Sequence, residues 1–160
     1  MKIVKLLASA VLAGVMIGLG CVVNLSVDNR IIGALLFGIG LFVICTRGYS
    51  LFTGKVLYVA ENNGPAPVDL GVIWLGNLTG TAIVAMMMHE TRVGSEIRER
   101  AEAITTAKLN NGAGGLVVLG ILCELCIFIA VDGYKKLSTS GGSNSYAYIP
   151  VFLGVMVFIL

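Results

Sequence analysis

The chain has 160 residues, 57% of them hydrophobic and 12% charged, with a net charge of +2 and a mean hydropathy of +0.93. Soluble domains carry about 25% charged residues and disordered chains are poor in apolar ones, so both classes are excluded. A nucleic-acid binder is excluded too, because the charge is small and no basic stripe is present. The composition, including 21 glycines, is that of an all-α integral membrane protein.

A bilayer core about 30 Å thick needs roughly 20 apolar residues per helix. Leu6 to Leu25 supplies 20 without a charge. A signal peptide is the competing reading, given Lys2 and Lys5 ahead of the run. The apolar stretch exceeds the roughly 7–15 residues of a signal core, and Val22-Val23-Asn24 lacks a small-x-small cleavage pattern, so a true span is expected. After the turn Ser26 to Arg30, a second run extends from Ile31 to Ala60, too long for one plain span. Thr46-Arg47-Gly48-Tyr49-Ser50 and Leu51-Phe52-Thr53-Gly54-Lys55 interrupt it with two charges and two glycines. Polar, irregular backbone at membrane depth is tolerated only inside protein or along a water-filled cavity. The run therefore reads as a helix broken by a loop, the alternative being a helix that ends at Cys45 and an interfacial segment after it.

Glu61 to Pro67 is a loop on its turn chemistry. Val68 to Met88 is the third run, ending in His89-Glu90, where His89 is expected at the interface. Thr91 to Gly112 mixes acids and bases and reads as a solvated, partly helical connector. Ala113 to Val131 is the fourth run, with Glu124 inside it and Asp132 to Lys136 expected to end it. Ser138 to Ser145 is a polar loop. A fifth run begins near Tyr146 and reaches Leu160, too short to cross a bilayer. It is either a half-helix or a cut span, and truncation is the expectation.

Small residues recur four apart at Ala10, Gly14 and Gly18, at Ala34 and Gly38, and at Gly76 and Gly80, a spacing that lets membrane helices approach closely. Cys21, Cys45, Cys123 and Cys126 all lie in apolar runs. Cys123 and Cys126 form a C-x-x-C, but inside a hydrophobic helix such thiols are expected to be inert packing residues rather than redox or zinc ligands. Lysines and arginines flank both ends of the spans, so their distribution does not fix the orientation.

Four segments in register resemble the formate/nitrite transporter family, which includes hydrosulfide channels. Leu51-Phe52-Thr53-Gly54-Lys55 resembles the loop that interrupts the family's second helix. Gly76-Asn77-Leu78-Thr79-Gly80 is similar to its third-helix motif, and Gly120-Ile121-Leu122-Cys123-Glu124-Leu125-Cys126 to its fourth-helix motif. Lys108 stands twelve residues before Gly120, in the place of the family's pore lysine. The resemblance covers essentially the whole chain. It implies an aquaporin-like pentamer in the bacterial inner membrane, each protomer built as two inverted three-helix repeats with broken helices. It also implies passage of small monovalent anions such as formate, nitrite or hydrosulfide between two hydrophobic constrictions, with no metal or organic cofactor.

Carried onto this sequence, the resemblance makes Leu51 and Phe52 part of one constriction and Thr53 a polar pore residue. Lys108 becomes the anion-attracting group of a vestibule, and Phe158 the aromatic of the second constriction. Glu124 departs from the family, which usually has asparagine there. An ionised carboxylate would repel anions, so Glu124 is expected to be protonated or paired with Lys108 or Lys55. The family's central histidine belongs to its fifth helix beyond Leu160, and His89 does not match it. The expected division is one three-helix repeat over 1–90, a polar connector over 91–112 and a partial second repeat over 113–160. Two other readings stand beside the anion channel. One is a haem-holding membrane anchor of a redox complex, which a single helix-end histidine disfavours; the other is a truncated, non-conducting fragment. Enzymatic activity has no support, since the sequence offers no nucleophile–base pair, metal cluster or phosphate loop.

Overall fold

The computed structural model describes residues 2–60, 64–139 and 146–159. Parts of two expected loops, at 61–63 and 140–145, lie outside the described residues, as does Leu160. The helices are α1 (Lys2–Ser26), α2 (Arg30–Arg47), α3 (Pro67–His89), α4 (Gly94–Leu109), α5 (Gly112–Thr139) and α6 (Tyr148–Ile159), with a short 3-10 helix at Val56–Ala60. α1, α2, α3 and α5 are long and apolar enough to cross a membrane, whereas α6 is shorter. Large apolar side chains such as Leu75, Leu78, Val118 and Ile121 are exposed. In a membrane protein such apolar surface is compatible with surroundings of lipid or of further protein.

The small-residue stripes are where the helices meet. α1 packs most extensively against α3, and Ala10, Gly14 and Gly18 of α1 face Gly76, Gly80 and Val84 of α3. A Cβ at Gly14 would run into the carbonyl of Asn77, and one at Gly80 into the carbonyl of Val11. Only glycine lets these backbones come so close, which strengthens dispersion contact where lipid offers no hydrophobic drive. A second core joins α1, α2, α5 and α6 through Ala13, Leu41, Ile127, Val151 and their neighbours.

α2 begins with Asn29, whose side chain accepts hydrogen bonds from the N–H groups of Ile31 and Ile32 at 3.0 and 3.1 Å. It ends two residues beyond Cys45, at Arg47. Gly48 takes a left-handed conformation at φ 66°, its N–H bonds Cys45 and the Tyr49 N–H bonds Ile44. This is the glycine-terminated helix end in which two otherwise orphaned carbonyls are satisfied. Gly48→Ala is expected to destabilise the protein by about 1 kcal/mol through the left-handed penalty, with nothing within 4 Å for the added methyl to meet; a thermal melt in detergent reads the shift directly.

Beyond Gly48 the chain leaves the helix and stays packed inside the protein: Ser50 and Leu51 are buried, at 4% and 7% exposure, as the broken-helix reading requires of an interrupting loop. Apolarity resumes at Val56 only as one 3-10 turn. The fourth run differs more: the helix does not stop at Asp132 but continues to Thr139. Charges mark where a helix leaves hydrocarbon, not where it must unwind. Here Lys136 reaches back four residues to Asp132 at 2.8 Å, a spacing that favours continued helix.

The connector is helical and largely exposed as α4. Arg100 ties it to the α1–α2 turn, donating to the Leu25 carbonyl at 3.0 Å and to Asp28 at 2.6 Å, with Glu96 at 3.0 Å. The hydrogen bond to Asp28 holds its guanidinium above the ordinary arginine value.

Candidate functional site

The loop after α2 has no ladder of its own, so side chains from α1 and α3 must satisfy its backbone. Asn77, midway along α3, does most of this. Its Oδ1 accepts the Phe52 N–H at 2.8 Å, while its Nδ2 donates to the Ser50 carbonyl at 2.9 Å and to the Ala10 carbonyl of α1 at 2.8 Å. From α1, Ser9 Oγ accepts the Ser50 N–H at 3.0 Å and donates to Ser50 Oγ at 3.2 Å. Lys55 Nζ donates to the same Ser50 Oγ at 3.0 Å. The loop closes on itself as the N–H groups of Lys55 and Val56 both bond the Phe52 carbonyl at 2.9 Å. One asparagine and two serines thus hold Leu51, Phe52 and Thr53 in place.

These three residues form one wall of a cavity of about 350 Å³ running between α1, α2, α3 and α5. Phe37 of α2 and Phe158 of α6 also line it, with ring centroids 6.4 Å apart. Polar groups share the same lining: Thr53, Asn77, Thr81 and Glu124, with Trp74 and Cys123 alongside. Among the described residues the Thr53 hydroxyl makes no protein hydrogen bond, leaving it a donor and acceptor for whatever enters.

Five of the six residues singled out in the sequence therefore meet in one cavity: Leu51, Phe52, Thr53, Glu124 and Phe158. Lys108 does not join them. It is exposed on the last turn of α4. The expected pairing of Glu124 with Lys108 or Lys55 is also absent. Glu124 Oε1 is buried with no hydrogen-bond partner, and Lys55 is turned instead to Ser50. The loop geometry accounts for this, since the Ser9–Ser50 contact draws the lysine towards α1. Cys123 lines the cavity rather than filling a packing gap, and the four cysteines are free. His89 is exposed at the end of α3, 3.5 Å from Glu90. No cluster of metal-ligating side chains occurs among the described residues.

The Gly76 to Gly80 motif contains Asn77 but does not itself name the partners that Asn77 clamps. The available signal was one amide side chain in an otherwise apolar run, which in hydrocarbon demands a partner.

The class defined so far is an all-helical bundle of membrane-capable helices with a buried loop after α2 and an open cavity beside it. The formate/nitrite transporter family model matches residues 1–159, and the chain belongs to that family. It is 27% identical over 169 aligned positions to the nitrite transporter NirC of Escherichia coli K12, covering 94% of this chain and 60% of NirC. NirC of Salmonella typhimurium LT2 is 26% identical, with 87% and 57% covered. The chain thus spans about 60% of the length of these curated relatives. Among solved structures, a pentameric formate channel with formate bound has the same fold at a TM-score of 0.80 and 24% identity, over 99% of this chain and 68% of that one.

Proposed function

We propose that the protein is a channel or transporter for small monovalent anions of the formate, nitrite or hydrosulfide kind, working as a homopentamer in the bacterial inner membrane. The observation that carries this is the cavity itself, whose lining combines apolar Leu51, Phe52, Phe37 and Phe158 with polar Thr53, Asn77, Thr81 and Glu124. The nitrite-transporting relatives and the formate channel of the same fold support it. In this reading residues 1–90 are one three-helix repeat, 91–112 the connector and 113–160 the portion of a second repeat.

An anion entering hydrocarbon loses hydration that a narrow pore must replace. Leu51, Phe52 and Phe158 exclude bulk water and larger solutes. Thr53, Asn77 and Thr81 supply hydrogen bonds in the cavity. Glu124 adds a carboxyl group to that polar lining, and Lys108 attracts anions at the vestibule. The test is radiolabelled formate and nitrite uptake into liposomes, where the protein should exceed empty liposomes and saturate. Uptake no faster than the empty control would remove the proposal. Leu51→Ala, which trims one constriction, is expected to raise uptake several-fold and to admit larger carboxylates such as lactate; an unchanged size limit would show that Leu51 does not set it.

A further inference from the structure

Glu124 of α5 lines the cavity of about 350 Å³, and no basic side chain shares that lining among the described residues. α1, α2 and α6 present only apolar residues and glycine to the cavity, and the loop and α3 only neutral ones. Cys123, one residue before Glu124, is the other titratable group facing it among the described residues. Glu124 Oε1 is buried without a hydrogen-bond partner. Donors are as scarce as cations. Both Nδ2 protons of Asn77 go to the Ala10 and Ser50 carbonyls. The Thr81 hydroxyl turns to the carbonyls of Asn77 and Leu78, at 3.2 and 2.9 Å. These two side chains remain as acceptors, which leaves the Thr53 hydroxyl and the Trp74 indole as the strong donors still open among the described residues.

A carboxylate in such surroundings is unpaired, and a second negative charge beside it is repelled. A carboxylic acid in the same place is a donor, and its O–H to an anionic oxygen makes a charge-assisted bond, stronger than one between neutral groups. We propose that Glu124 is a specificity-determining residue of the pore, which admits a small anion to the cavity only beside a protonated Glu124 side chain that donates its O–H to an oxygen of that anion. The proton comes from the medium, one for each cavity, and forms the O–H bond on Glu124. It stays there while the anion remains an anion, so no bond of the transported species forms or breaks. Ionisation of Glu124 removes the donor and sets charge against charge, which shuts anions out.

This rests on the anion-conducting reading above, and the two fail separately. Infrared difference spectra of the protein in lipid, taken on adding carbon-13 formate at neutral pH, are expected to show a protonated-carboxyl C=O band that formate strengthens or shifts. The band should be missing from E124Q. In liposomes, the half-saturating formate concentration should rise about tenfold per pH unit once the carboxyl begins to ionise, the linkage of one proton. It should stay flat in E124Q, whose amide donates without titrating; E124N, with the same amide on a shorter stem, is the second variant should E124Q not fold. A flat profile in the unaltered protein overturns the proposal. A rise equally steep in the amide variants traces the pH dependence to formic acid itself and overturns it too. So does an absent band, or a carboxylate band at Glu124 with formate bound. The expected band change in a protein that takes up no formate would overturn the transport reading and leave the Glu124 site established.

Discussion

Asn77→Leu is expected to abolish anion uptake and to destabilise the protein by roughly 3 kcal/mol or more. Three hydrogen bonds vanish together, to Ala10, Ser50 and Phe52, and the Phe52 N–H is left without its acceptor. Each lost bond is worth about 1 kcal/mol net, and each buried group left unpaired adds about 1–3 kcal/mol. The isosteric volume of leucine fills the space, so the loss is one of polar satisfaction rather than packing. With the clamp gone, Leu51, Phe52 and Thr53 have no fixed place in the cavity wall. Hydrogen exchange at the amides of Ser50 and Phe52 reports this locally, and protection equal to that of the unaltered protein would show that the loop holds itself. Asn77→Asp separates the two halves of the clamp, since it keeps an acceptor for Phe52 and loses both donors.

A comparable effect on folding is expected at the α1–α3 contact. Gly14→Ala places a methyl group on the backbone carbonyl of Asn77, which cannot move without disturbing the same clamp. Overpacking of this kind costs about 3 kcal/mol, and in this position it also pushes α3 away from the loop. The control is Gly71→Ala on α3, where nothing lies within 4 Å; it should be neutral or slightly stabilising, because alanine is the better helix former. Thermal melts of the two variants in detergent should differ clearly. Equal melting temperatures would mean that the helices are not in close contact.

The helices were legible because their signal is local. Apolar runs at Leu6–Leu25 and Val68–Met88 correspond to α1 and α3 within a few residues, and Gly14, Gly76 and Gly80 mark the contact faces by spacing alone. The break at Gly48 was legible too, as glycine and charge at a depth where neither is tolerated without support. What supports it was not. The partners of Asn77 lie 25, 27 and 67 residues away in sequence, and no pattern within α3 names them. The same holds for Glu124, whose expected lysine partners are engaged or exposed elsewhere. Lys135 stands at the end of an apolar run, where a charge reads as a stop signal. In the fold that run continues as helix and carries the lysine to the loop. The site residues that emerged from the motifs, Leu51 to Thr53, Glu124 and Phe158, converge on one cavity because the motifs mark the segments that face it.

The claim that the anion path runs through the cavity behind Leu51 is tested most directly by plugging it. Formate uptake into liposomes would be compared for Thr53→Trp, which fills the cavity, and Leu75→Trp, which adds the same side chain to an exposed position on α3. With both variants folded to the same melting temperature, Thr53→Trp should fall to the empty-liposome rate and Leu75→Trp should match the unaltered protein. Undiminished uptake by Thr53→Trp would contradict the assignment and place the path elsewhere.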